Sequence, residues 1–334
     1  MTRLVLKLGG KCNLNCAHCH SKNVRYEYNP RILDYIQDMG YDTITFSGGE
    51  PFLYWPIIEN IIKSLGKSIN YKIVTNGTLL TFEKLQTLVD YNVTVIFSFD
   101  GKDGKRDKSL LPKYEMLVPL KKSFAVTVYK ENMNLEKIQK ELDELCEYYR
   151  IYTKQSLQPN FIHQTEDVYS ETSLEDAKEY CKQLARIIEP ELIFLSKADD
   201  YKKVSENMST TYMAIKNWYL PKPFKGIKCF NELVHVMSID GRFLGCPYTD
   251  KHFVGDILTG INWKKVENLV PPHCKKCDIY NVCRGACFTN VTMNECYIAK
   301  TMNKWLVKVI NKYNLQDRIK EIYEDRLLDV RECV

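Results

Sequence analysis

The stretch Leu4-Val-Leu-Lys-Leu8-Gly-Gly-Lys-Cys12-Asn-Leu-Asn-Cys16-Ala-His18-Cys19 decides the fold. Leu4–Leu8 reads as a first β-strand, and three cysteines spaced C-x3-C-x2-C follow it at once. Three thiolates in eight residues can hold three irons of a cubane and leave the fourth iron open to another ligand. Tetrahedral structural zinc wants four closed ligands instead, so His18 or His20 would have to complete it.

Outward from the triplet, short β-branched or aromatic runs alternate with amphipathic stretches as far as about residue 160. That is the pattern of repeated βα units around a parallel sheet. Thr43–Phe46, Tyr71–Thr75, Val93–Phe99, Phe124–Tyr129 and about Ser156–Ile162 read as the later strands. Leu135, Ile138, Leu142, Leu145 and Tyr149 mark a helix with one apolar face, with Asn134 as its N-cap. A second helix starts at Ser173-Leu-Glu-Asp176 and is expected to bury Leu174, Ala177, Cys181, Leu184 and Ile188. Prolines and a glycine in Leu220-Pro-Lys-Pro-Phe-Lys-Gly226 break the helical pattern. The expected segments are therefore 1–220, 221–300 and 301–334, the last helical from Trp305 toward Leu327.

The 334 residues carry 13 cysteines, 27% charged side chains and a formal net charge of +5. No apolar run reaches the roughly 20 residues of a membrane span, and the start is too short for a signal-peptide core, so a cytoplasmic protein is expected. That compartment keeps thiols reduced, so the cysteines read as metal ligands and not as disulfides. Basic residues are spread along the chain, which argues against a nucleic-acid partner.

Seven of the cysteines fall between 229 and 296. Cys229, eleven residues, Gly241, four residues and Cys246 form one group; Cys274, Cys277, Cys283 and Cys287, spaced C-x2-C-x5-C-x3-C, and then Cys296 form the other. A zinc ribbon could use the Cys274 and Cys277 pair but would leave three or more cysteines unexplained. Cys146, Cys181 and Cys333 stand apart. The first two read as small buried hydrophobes, and Cys333 is a candidate thiol hydrogen donor.

The triplet, with a ring at His18 before its last cysteine, and Ser47-Gly48-Gly49-Glu50-Pro51 after the second strand resemble the radical S-adenosylmethionine (SAM) superfamily and its GGE motif. The seven-cysteine segment resembles the SPASM extension of one branch of that superfamily. The resemblance implies an α/β fold, a partial (β/α)6 TIM-like barrel followed by the cysteine-rich iron–sulfur extension. It implies one SAM-binding [4Fe-4S] cluster on Cys12, Cys16 and Cys19. SAM contacts would come from His18, Gly48, Gly49, Glu50, Asn76 and Ser98, with the Glu50 carboxylate receiving SAM's ammonium.

Two auxiliary [4Fe-4S] clusters follow from the same resemblance. Cys229, Cys246 and Cys287 would hold the first, one ligand short, and Cys274, Cys277, Cys283 and Cys296 the second. The implied activity is reductive cleavage of SAM to a 5′-deoxyadenosyl radical that takes hydrogen from a substrate. A ribosomally made peptide is the first expectation; dehydrogenation or rearrangement of a small molecule is the second. A non-catalytic zinc or iron–sulfur module is the reading from another class. The chain starts almost at its first strand, so a separate leader-peptide-binding protein is expected, with a flavodoxin- or ferredoxin-type electron donor. Pro247 stands where sulfatase-maturing members carry an acid, and the usual His-Asp…Arg stretch after Ser98-Phe-Asp-Gly101 is lacking.

Overall fold

A computed structural model of the chain describes residues 2–16, 18–19, 24–101, 114–148, 158–161, 172–205, 208–222, 224–247, 249–285, 288–289 and 293–324; for 114–115, 158–161, 204–205, 209 and 324 it describes the backbone alone. Strands β1 (Arg3–Lys7), β2 (Thr43–Ser47), β3 (Asn70–Thr75), β4 (Thr94–Ser98), β5 (Lys121–Val128) and β6 (Gln158–Phe161) pair in that order, every pair parallel. Parallel neighbours need crossovers. Helices α1 (Arg31–Met39), α2 (Trp55–Leu65), α3 (Phe82–Asp90), α4 (Tyr114–Leu117) and α5 (Leu135–Tyr148) lie within them.

Register explains the burial. Leu6, Phe46, Ile73 and Val95 form one row across four strands, and none is exposed. Each such side chain stabilises the fold by roughly 1.5–3 kcal/mol. One residue along, Val5, Thr45, Lys72 and Thr94 form a more polar row on the opposite face, as strict alternation requires. Because all six strands run the same way, the loops after β1 to β5 gather at one edge, where sites on such sheets collect.

After β6 the chain is helical through α6 (Leu174–Lys197), α7 (Tyr201–Ser205) and α8 (Ser209–Trp218). The capping box at Ser173 and Asp176 forms, and Ala177, Cys181, Leu184 and Ile188 are buried. Leu174 corrects the expected stripe: it is 41% exposed, because it sits in the first turn, ahead of the part that packs against its neighbours.

Short strands β7 (Gly226–Ile227) and β8 (Phe230–Asn231) then form a hairpin that leads into β9 (Val234–Ser238). Unexpectedly from sequence, β9 pairs parallel with β1, Lys7 beside Ser238, so one sheet crosses the 220/221 boundary. Strands β10 (Arg242–Leu244), β11 (Phe253–Asp256) and β12 (Gly260–Ile261) continue it antiparallel. The barrel stays open. Short helices α9 (Trp263–Asn268), α10 (Pro272–Lys275) and α11 (Tyr280–Cys283) carry the cysteine-rich loops. Helix α12 (Asn294–Lys312) breaks at Asn314, φ 53°, before α13 (Gln316–Glu324), so the expected last helix is two; its stretch toward Leu327 lies outside the described residues. Among the described residues, no helix is long and apolar enough to cross a membrane.

Candidate iron–sulfur and SAM site

The triplet emerges from the carboxyl end of β1 and is pinned by the loops of the next four strands. Gly49 N–H donates to the Gly9 carbonyl at 2.7 Å and Glu50 N–H to that of Lys11 at 2.8 Å. This close pairing explains the glycines. A Cβ on Gly49 would stand 2.1 Å from the Lys11 oxygen, and one on Gly48, whose φ is +147°, 2.6 Å from the Gly9 oxygen. No side chain fits at either position.

Glu50 is completely buried. Its Oε1 accepts from the Thr75 hydroxyl at 2.7 Å and Phe52 N–H at 3.0 Å, and its Oε2 from Asn76 N–H at 2.9 Å. The carboxylate thus joins the ends of β2 and β3. From there Asn76 reaches the triplet: its Nδ2 donates to Asn13 Oδ1 at 3.0 Å and lies 3.9 Å from Cys12 Sγ. Leu14 N–H donates to the same sulfur at 3.4 Å. Asn13 and Thr78, neither singled out in the sequence, close the network through a 2.7 Å bond.

His18 is placed by the next two strands. Its Nε2 lies 3.7 Å from Asp100 Oδ2, and its ring stacks on Tyr129 at 5.1 Å and 26°. Asp100, 2% exposed, also accepts from Thr127 N–H at 3.3 Å. In the sequence Asp100 appears only within Ser98-Phe-Asp-Gly101, and Tyr129 only as a strand residue. Ser98 ends β4 on the same edge of the sheet. The site therefore gathers Cys12, Cys16, Cys19, His18, Gly48, Gly49, Glu50, Asn76 and Ser98 at one edge.

In the extension, Cys274, Cys277, Cys283 and Cys296 line one open cavity, completed by Ile279, Tyr280, Gly285, Ala299 and Lys300. Burial pushes the Cys274 thiol up to about 11, helped by Cys296, Cys283 and Cys277. Burial also raises Cys283 and Cys296. Among the described residues, no three His, Cys, Asp or Glu close tightly enough to hold a single metal ion. Zinc would draw four sulfurs to about 2.3 Å of one point. Four sulfurs around an open cavity fit a polynuclear iron–sulfur group better.

Cys229 lies in the β7–β8 turn and Cys246 follows β10, where it is buried. Cys287 and Cys333 lie outside the described residues. Cys146 and Cys181 are core residues, with thiols pushed up by burial to about 11 and about 12.

Residues 6–115 match the family model of the radical SAM superfamily. A radical SAM cyclopropyl synthase, TigE, from Paramaledivibacter caminithermalis is 32% identical over 124 residues, covering 29% of this chain and 26% of that protein. The 7-carboxy-7-deazaguanine synthase of Clostridium acetobutylicum is 32% identical over 99 residues, 27% of this chain and 43% of that one. The chain thus spans less than half the length of these curated relatives. In fold the likeness is longer. The solved structure of anSMEcpe with bound AdoMet superposes with TM-score 0.65 at 18% identity, covering 97% of this chain and 98% of that one. Streptococcus suis SuiB bound to S-adenosylmethionine gives 0.56 at 16%, covering 85% and 72%. This is the fold that the resemblance to the SPASM branch implied.

Proposed function

We propose that the chain is a SAM-cleaving radical enzyme that modifies a peptide. The observation that carries this is the pinning of the Cys12, Cys16 and Cys19 triplet to the loops after β2, β3 and β4 by Gly49, Asn76 and His18. Cys12, Cys16 and Cys19 would hold the first four-iron cluster; Cys274, Cys277, Cys283 and Cys296 would hold one auxiliary cluster; Cys229, Cys246 and Cys287 would hold another. When bound and reduced, such a cluster supplies one electron to SAM, giving methionine and a 5′-deoxyadenosyl radical that takes hydrogen from substrate.

The chain's own residues do the positioning. Gly48 and Gly49 let the loop after β2 lie flat on the segment before the triplet. Glu50 orients Asn76, whose amide steadies the Cys12 sulfur. Asp100 and Tyr129 fix the plane of His18, which leaves a defined ring beside the SAM site. Holding reactants in one geometry is the protein's main contribution to such chemistry.

Two observations favour a peptide. The anSMEcpe and SuiB folds were each solved with peptides, Cp18Cys peptide and precursor peptide SuiA. The resemblance to 7-carboxy-7-deazaguanine synthase keeps the small-molecule reading as the second. The test is anaerobic incubation of reduced, reconstituted protein with SAM and a short peptide encoded beside it. A mass loss of roughly 2 Da would mark a crosslink or oxidation, and deuterium uptake at constant backbone mass an epimerisation. Turnover of a metabolite, with every encoded peptide unchanged, would select the second reading. A flavodoxin- or ferredoxin-type donor and a separate leader-binding protein complete the proposal, with 1–220, 221–300 and 301–334 as its segments.

A further inference from the structure

We propose that the exposed lysines around the Cys274, Cys277, Cys283 and Cys296 cavity form the docking surface for a small acidic electron carrier of the flavodoxin class. The inference rests on the reading that this cavity holds an iron–sulfur cluster. Lys300 lines the cavity itself. His273, Lys275 and Lys276 flank Cys274 and Cys277 and are exposed. Lys304 and Lys308, also exposed, follow Lys300 on α12 in steps of four, which keeps them on neighbouring turns of one face.

Little negative charge answers them. The exposed Asp278 lies 3.9 Å from Lys300, and Glu295 is paired with Lys228 at 3.9 Å. Lys275, Lys276, Lys304 and Lys308 make no ion pair with any described residue. The cysteine ring lies close beneath: Cys277 Sγ donates to Asp278 Oδ1 at 3.4 Å at an exposed position. Charges of one sign around an opening steer an oppositely charged partner, and redox encounters use small, weak interfaces that depend on such steering.

Nucleic acid is the other acidic macromolecule such a patch would attract. Single strands are held on exposed aromatic platforms as well as charge. Here Tyr280, which lines the cavity, and Tyr297 are only partly exposed. The composition of the rim therefore favours a protein carrier.

The test titrates the cluster-loaded protein with oxidised flavodoxin under argon, by calorimetry, at several salt concentrations. Binding should weaken at least about tenfold between low salt and roughly 0.5 M salt, as screening requires. A Lys275→Glu, Lys276→Glu, Lys304→Glu, Lys308→Glu variant should lose about tenfold in affinity at low salt while its iron content and its reduction by dithionite stay unchanged. Lys137→Glu with Lys140→Glu on α5 should leave binding unaltered. Equal affinity in the fourfold variant would overturn the proposal. So would tight binding of a single-stranded oligonucleotide, lost on the same reversals, with no binding of flavodoxin. If Cys274→Ala and Cys277→Ala change no iron content, the cluster reading falls as well; if they do and flavodoxin still fails to bind, the docking site alone falls.

Discussion

The backbone N–H of Asn76 donates to Oε2 of the completely buried Glu50 at 2.9 Å, which makes the motif carboxylate a structural part of the loop that holds the cysteine triplet. The sequence pointed to Glu50 as the partner of an ammonium. In the structure its carboxylate accepts three donors of its own chain, two on one oxygen and one on the other.

Glu50→Gln tests this directly. An amide cannot accept at both ends, so one donor among Thr75, Phe52 and Asn76 would face an NH2 group in a buried place. The variant should lose about 1–3 kcal/mol of stability in chemical denaturation. It should also retain less iron after reconstitution, because Asn76 is displaced from Cys12. Unchanged stability and iron with weaker SAM binding would leave Glu50 the ammonium role alone.

His235 gives a pH prediction. It is buried on β9, its Nδ1 lies 2.7 Å from the Tyr41 hydroxyl, and burial lowers its pKa to about 4. The folded state therefore resists protonation that the unfolded chain accepts near the ordinary histidine value of about 6.5. Stability is whole above that pH and falls as pH drops from there toward 4, by at most about 3 kcal/mol. Denaturation midpoints of His235→Gln should be flatter over that range than those of the parent. Parallel curves would contradict a buried neutral ring.

The auxiliary cysteines should be separable from the triplet. Cys283→Ala removes one side of the cavity in the extension and touches none of the contacts around Cys12. It should lower iron by about one cluster's worth while 5′-deoxyadenosine is still formed and product is not. Full product formation would make that cavity structural only.

Much of this was legible in the sequence because the relevant signals are local. Strand periodicity placed β1 to β6 within a few residues of where they lie, and the cysteine spacings marked the loop after β1 and the cysteine-lined cavity of the extension. The rest depends on pairing between distant segments. Nothing near Val234 announces that β9 will join β1, more than 200 residues earlier, as a parallel neighbour. Asp100 and Tyr129 matter only because parallel strands bring their ends beside His18. Gly48 and Gly49 stood out in the sequence through the resemblance; that they also admit the backbone of Gly9 to Lys11 depends on a distant segment. Leu174 shows the converse limit, since a helical stripe gives the face but not where packing begins.

The central claim is that the pinned triplet holds a cluster that cleaves SAM. The most direct measurement is iron, zinc and 5′-deoxyadenosine on anaerobically reconstituted, reduced protein supplied with SAM, beside a Cys12→Ala, Cys16→Ala, Cys19→Ala variant. The account predicts about twelve irons per chain, little zinc and formation of 5′-deoxyadenosine, with the variant losing about four irons and all cleavage. Stoichiometric zinc, no iron uptake and no 5′-deoxyadenosine would contradict it.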